Sequence, residues 1–217
     1  MSIRDTAFYI EQFYHIFNHG NGDCQIFLDD HDKRRMTNLL YVANGVNPFV
    51  FTELKGDEMS FDRGETLVDI GAWCLMDNHY HLLLKEKREN GITLFMHKLM
   101  TAYTSYFNIR HQTRGTLFEG KFKAKIIEFD EYLEHMYAYI HLNPVKMIEP
   151  SWKVKPIKDK KKALNYLEEY HYSSYQDYLK KDRPEKAILN MPTFPDYFSN
   201  QNVKMSMFKW LDFENYG

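Results

Sequence analysis

The strongest constraint on the fold is a pair of apolar runs separated by only two turn-forming residues. Thr66 to Met76 is apolar and β-branched, Asp77-Asn78 follows, and His79 to Lys85 is again largely apolar. A two-residue connection of this kind is typical of a β-hairpin, because it reverses the chain directly. The sequence therefore predicts two adjacent antiparallel strands over residues 66–85.

The segments on either side of this hairpin alternate between strand and helix patterns, apart from an irregular stretch at 45–65. They are a strand over Phe13 to Phe17, a helix that follows Asp29-Asp30 and includes Lys33 to Val42, a helical stripe over Thr93 to Phe107, an alternating strand over Lys121 to Ile126, and a helix capped by Asp130 that runs to about Leu142. The resulting order is βαββαβα. This order favours an α+β, ferredoxin-like sandwich, in which an antiparallel sheet carries its helices on one face.

Composition sets the class of protein. The chain has 217 residues, of which 44% are hydrophobic and 16% aromatic, so it can bury the core of one compact unit and is not a disordered chain. It contains no apolar run near eighteen residues, so we expect no membrane span and no membrane partner. Cys24 and Cys74 match no metal-binding spacing, and the first eight residues lack the pattern of a signal peptide. We therefore expect a cytoplasmic protein.

Charge is distributed unevenly along the chain. Residues 110–162 contain twelve Lys or Arg and seven Asp or Glu, so this window carries +5 although the whole chain carries −2. Such segregation lets a nearly neutral protein present a basic face to phosphate groups. Part of the window mixes cations with rings that could stack on unpaired bases. The candidate DNA-binding residues are Arg110, Arg114, Phe118, Lys121, Phe122, Lys123 and Lys125. A solvated strand with buried phenylalanines is the alternative.

His79 and His81 are candidate metal ligands. On a strand, side chains two residues apart project from the same face, so both imidazoles could reach one divalent ion. A pair of stacked surface histidines is at least as plausible from the spacing alone. Tyr139 and Asn143 stand four residues apart, and hence on one face of the last helix. Together these side chains make a set of two nitrogens and one oxygen, which suits Mg²⁺ or Mn²⁺. The alternative is a core tyrosine followed by an Asn-Pro helix stop.

Four ordered segments resemble one family. They are MDNHYHLLL (76–84), RGTLFEGKFKAKII (114–127), YIHLNPVK (139–146) and YHYSSYQDYL (170–179), and the segment 14–36 is similar to the first strand and helix of that family. The order and spacing resemble those of the single-tyrosine HUH transposases, above all the REP-associated branch. The resemblance implies a transposase domain over residues 1–180 and a C-terminal extension of unknown role over 181–217.

The resemblance also implies roles for individual residues. Carried over by position, His79 and His81 are metal ligands, Asn143 is the third ligand and Tyr139 is the nucleophile. Tyr137 and His141 flank this face without a matched role, and Asp77 stands where the family usually has proline, which should alter the hairpin turn rather than the ligands.

The implied activity is metal-dependent nicking and rejoining of single-stranded DNA through a 5′-phosphotyrosine, with recognition of hairpin DNA and a nucleoid-associated location in a bacterial cytoplasm. Both a monomer and a homodimer remain open. Two other classes compete with this expectation. One is a domesticated relative that binds structured nucleic acid without cutting it. The other is a metal-dependent hydrolase of small phosphoesters. Sites of that kind use additional carboxylates, which this sequence does not show near the histidine pair.

Overall fold

The predicted hairpin is present in the computed structural model, which describes residues 7–54, 56, 58–152, 157–197 and 203. The four strands are β1 (Phe13–His19), β2 (Val68–Met76), β3 (His79–Glu86) and β4 (Lys123–Ile127). The helices are α1 (Asp30–Val42), α2 (Gly91–His111), α3 (Asp130–Leu142), α4 (Lys160–Glu169) and the short α5 (Tyr175–Tyr178). The predicted order of the first seven elements is confirmed.

The strands form one sheet in the order β2-β3-β1-β4, and every neighbouring pair is antiparallel. The register places Phe17 opposite His81 and His19 opposite His79. On β4, Lys125 lies opposite His15. Directly paired residues point to the same face of a sheet, so the imidazoles of β1 and β3 share one face with the lysines of β4. The α+β class and the antiparallel sheet are confirmed.

The helices cover both faces of this sheet, not one. Helices α1 and α2 pack on the face that carries Tyr14, Ile16 and Leu82, and this is the larger core. Helix α3 packs on the opposite face, where Leu83 contacts the cluster around Met136. The prediction of helices on one face therefore holds for α1 and α2 and is wrong for α3. The physical reason is that Leu82, Leu83 and Leu84 are consecutive and fully buried, so both faces of β3 need an apolar cover.

Helix α3 begins without a side-chain cap. Its N-cap position is Phe129, and Asp130, predicted as the cap, is the first helical residue. The Asp130 carboxylate instead accepts a hydrogen bond from the Tyr197 hydroxyl. In contrast, Asp29 caps α1 as the sequence suggests, because its side chain accepts from the backbone amides of His31 and Asp32.

The chain after α4 lies along β2, an edge strand of the sheet. The backbone amides of Leu75 and Asn190 donate to the carbonyls of Tyr172 and Ile70, over 2.9 and 3.0 Å. At Gly71, where the β2 register shifts, a Cβ atom would lie 2.6 Å from the Phe194 ring. The first part of the C-terminal extension thus covers this edge, whereas Trp210 and most of the extension after residue 197 lie outside the described residues.

Candidate active site

A cavity of about 550 Å³ lies between α3 and the sheet face that carries the imidazoles. Five residues singled out from the sequence line it: His79, His81, Lys125, Tyr139 and Asn143. The hairpin positions the two imidazoles, the edge strand positions the lysine, and α3 positions the phenol and the amide. The fold therefore brings together side chains that lie up to 64 residues apart in sequence.

The histidine pair is nearly buried, with 7% of His79 and 3% of His81 exposed, and the two ring centroids are 5.0 Å apart. Nδ1 of His79 lies 2.6 Å from Oδ1 of Asn78. Because a carbonyl oxygen can only accept, this Nδ1 carries the hydrogen, and the lone pair of the neutral ring is on Nε2. The turn residue Asn78 thus sets the tautomer of His79.

Two further histidines come from β1 and were not singled out from the sequence. Nε2 of His15 lies 2.9 Å from Nδ1 of His81, and the ring of His19 stacks on that of His79 with centroids 4.9 Å apart. Both residues line the cavity. The signal was present, because His15, Phe17 and His19 alternate with period two and so share a strand face. Which histidines they meet depends on the pairing of β1 with β3, which that pattern does not reveal.

Tyr139 faces the imidazoles edge-on. Its ring centroid is 5.4 Å from that of His81 and 5.7 Å from that of His15, with interplanar angles of 78° and 76°. One turn later, Nδ2 of Asn143 donates a 2.7 Å hydrogen bond to the Tyr139 carbonyl. This bond holds the Asn143 amide at the end of α3 and directs Oδ1 away from that carbonyl.

The two neighbours without a matched role, Tyr137 and His141, lie on the other side of α3. Only 1% of Tyr137 is exposed, and burial raises the pKa of its phenol well above the usual value. Burial lowers the pKa of His141 to about 3, and its Nε2 lies 2.8 Å from Oγ of Ser174. Both side chains therefore anchor α3 in the protein interior, and neither lines the cavity.

The donor set fits a divalent cation. Metal-binding imidazoles usually have their second nitrogen held by a hydrogen bond, and Asn78 and His15 make such contacts to His79 and His81. With Oδ1 of Asn143, the set offers two nitrogens and one oxygen. Within the described residues, no three His, Cys, Asp or Glu side chains are grouped as a metal site; the third donor in this set is an amide oxygen.

The predicted DNA-binding residues fall into two groups. Lys123 and Lys125 are exposed on β4 on the imidazole face, and Arg114 and Lys121 are exposed in the preceding loop. Phe118 and Phe122 are buried in the main core, with 4% and 6% exposed, and the Phe118 ring packs against Tyr80. Their predicted role in stacking on bases is wrong, because both rings are covered by the core.

Arg110 is also placed away from the cavity. Its guanidinium pairs with the carboxylates of Asp29, over 2.7 Å, and of the fully buried Asp32. These contacts join the end of α2 to the start of α1 on the opposite face of the sheet. The pairing holds the pKa of Asp29 well below its usual range.

Comparison with known proteins relates part of the chain to one family. Residues 63–143 match the family described as IS200-like transposases. That range contains His79, His81, Tyr139 and Asn143, so the resemblance inferred from the motifs is confirmed there. No significant match is found among curated proteins.

The likeness in fold extends over nearly the whole chain. The protein is similar to a solved structure of a REP-associated tyrosine transposase bound to a REP hairpin, with a TM-score of 0.52. The match covers 94% of this chain and 96% of the other, at 12% identity, so the two share a fold. In the described part of the chain, no helix is both long and apolar enough to cross a membrane.

Proposed function

We propose that the protein is a metal-dependent transposase that nicks and rejoins single-stranded DNA through a 5′-phosphotyrosine intermediate and recognises hairpin DNA. The observation that carries the proposal is the position of the Tyr139 phenol beside the imidazole pair in one cavity, with ring centroids 5.4 Å apart for Tyr139 and His81. The family match over residues 63–143 supports a DNA-processing role for this site.

The proposed reaction exchanges one phosphoester for another. The phenolic oxygen of Tyr139 bonds to the phosphorus, the bond from phosphorus to the 3′ oxygen breaks, and the phenolic proton is transferred overall to that 3′ oxygen. The products are a 5′-phosphotyrosine and a free 3′ hydroxyl. Because no phosphoester is lost, the reverse step can rejoin a strand without a nucleotide cofactor.

A phenol with a pKa of about 10 is a weak nucleophile near neutral pH, so the site must supply electrostatic help. A divalent ion such as Mg²⁺ or Mn²⁺ would polarise the phosphate and stabilise developing negative charge. His79, His81 and Asn143 would hold it. The protein's own contribution is to fix these donors and the phenol on rigid elements, one strand and the C-terminal part of one helix, so that little rearrangement is needed.

Substrate recognition follows from the charge around the cavity. Lys125 lines it and Lys123 lies on the same sheet face, with Arg114 and Lys121 exposed in the preceding loop. Lysine and arginine supply most of the affinity for a phosphodiester backbone. The solved relative is bound to a REP hairpin, and we extend hairpin recognition to this chain.

The proposal is tested by incubating the protein with Mn²⁺ and a labelled hairpin oligonucleotide that carries single-stranded tails, followed by a denaturing gel. We expect a covalent protein–DNA adduct that Tyr139→Phe abolishes and that removal of divalent metal suppresses. Tyr132→Phe is the matched control, because it removes another phenol from the same cavity and should retain the adduct. Adduct formation by Tyr139→Phe would contradict the assignment. Hairpin binding without any adduct would favour the non-cleaving alternative.

A further inference from the structure

The first half of α3 carries three rings on one side, and two of them, Tyr132 and His135, line the cavity. Phe129 is the N-cap residue, and Tyr132 and His135 follow at intervals of three. The Tyr132 and His135 rings are stacked, with centroids 5.8 Å apart and an interplanar angle of 27°, and the centroids of His135 and Tyr139 are 6.2 Å apart. This aromatic row, consisting of Phe129, Tyr132 and His135, therefore ends at the proposed nucleophile.

The outer members of the row are exposed. Phe129 is 69% exposed and Tyr132 37% exposed, whereas most large rings in the described part of the chain are buried. Tyr132 and His135 also line the cavity. Burying a large ring is favourable in free energy compared with leaving the ring in water. An exposed pair of rings on one helix therefore indicates a surface that is covered when a partner binds.

Charge along this surface suits a polyanion. Strand β4 ends at Ile127, one exposed residue, Glu128, before Phe129, and Lys123 and Lys125 are exposed on its imidazole-facing side. The carboxylates of α3 lie elsewhere: Asp130 accepts a hydrogen bond from the Tyr197 hydroxyl, and Glu131 and Glu134 are close enough to raise the pKa of that hydroxyl further. The row is thus bordered by lysines on the side of the sheet.

We infer that the aromatic row is a stacking track for the single-stranded DNA next to the cleaved phosphate. Bases stack on Phe129 and Tyr132, while the backbone runs toward Lys123 and Lys125. Rings beside a basic groove are the usual means of holding unpaired nucleotides, because every base has a π face. This inference rests on the proposed function. It adds a binding partner for the aromatic row, which has no part in the nucleophile or the metal donors.

The distance along α3 from each ring to Tyr139 sets how many unpaired nucleotides the track can hold. Tyr132 precedes Tyr139 by seven residues, or about 10 Å along a helix. With about 3.4 Å between stacked nucleotides, the base on Tyr132 lies about three nucleotides from the attacked phosphate. A shorter single-stranded flank should not reach Tyr132, and Phe129, about 15 Å from Tyr139 along the helix, needs a flank of about four to five nucleotides.

The test measures binding of the full-length protein to fluorescein-labelled dT10 by anisotropy, in one buffer of fixed salt. Phe129→Leu and Tyr132→Leu keep apolar bulk but remove the ring, and each should weaken dT10 binding about tenfold. Tyr132→Phe keeps the ring and should bind as the unchanged protein does. Ile109→Ala is the matched surface control, because Ile109 is 77% exposed on α2 and lies on a helix of the opposite sheet face.

A second probe separates stacking from charge. A ten-nucleotide strand of the same charge whose sugars lack bases offers phosphates but no rings. Against it, Phe129→Leu and Tyr132→Leu should bind as well as the unchanged protein. Equal losses on dT10 and on the abasic strand, or no loss on dT10, would overturn the inference, and so would tighter binding of rU10 than of dT10. Failure of the proposed function is a separate result, namely no adduct on Tyr139 in the unchanged protein.

Discussion

At the scale of single residues, the site depends on second partners that hold the imidazoles. His15 contacts His81 over 2.9 Å, and Asn78 contacts His79 over 2.6 Å. Such contacts orient the ring and select the tautomer that presents a lone pair to a cation. His15 is therefore placed to orient the His81 ring, and we propose that it acts through His81.

His15→Ala should lower the affinity for Mn²⁺ about tenfold, because the His81 ring loses the partner that fixes its orientation. Mn²⁺ binding can be followed by electron paramagnetic resonance without any DNA. His97→Ala removes a histidine that is exposed on α2 and should leave the affinity unchanged. Equal Mn²⁺ affinity for His15→Ala and the unchanged protein would show that His15 does not support the metal donors.

At the scale of elements, α1 and α2 are joined by the ion pairs of Arg110. One partner, Asp32, has no exposed surface and also accepts from Tyr106, over 2.9 Å. Removing the cation leaves a buried carboxylate with fewer donors, which is costly in a region of low dielectric constant.

Arg110→Gln should reduce the free energy of unfolding at pH 7 and leave hairpin affinity within about twofold. The folded-state pKa of Asp29 is lowered, chiefly by Arg110, so this stabilisation is present above pH 4 and is lost as the pH falls below it. The difference between variant and unchanged protein should therefore shrink in acid, as measured by urea unfolding. Arg34→Gln, at an exposed pair with Asp30, should cost under about 0.5 kcal/mol. A large loss of hairpin affinity would restore Arg110 to the DNA-binding surface.

The edge strand β2 depends on close contact with the C-terminal segment. Gly71→Ala would place Cβ 2.6 Å from the Phe194 ring, and we expect a loss of about 1–3 kcal/mol from overpacking. The loss should be smaller in a Phe194→Ala background, where the space is open, and thermal unfolding of the four proteins gives the coupling. Equal losses in both backgrounds would mean that the contact does not limit this position.

At the scale of the whole molecule, the order of elements could be predicted because each of the first seven has its own periodicity. Local spacing also placed Tyr139 and Asn143 on one helix face. The pairing of Arg110 with Asp29 joins residues far apart in sequence, and the face taken by α3 depends on how the apolar strands are covered. The burial of Phe118 and Phe122 stayed an alternative in the sequence, because alternation alone does not say which face of a strand meets the core.

For the whole molecule, we propose that the hairpin imidazoles and the α3 phenol form a single site for phosphodiester exchange. The most direct test is to digest the protein after incubation with Mn²⁺ and a tailed hairpin oligonucleotide, and to locate the nucleotide-bearing residue by mass spectrometry. The account predicts a phosphate-linked nucleotide on Tyr139. A nucleotide attached to another residue, or cleavage of the oligonucleotide with no covalent attachment to the protein, would contradict it.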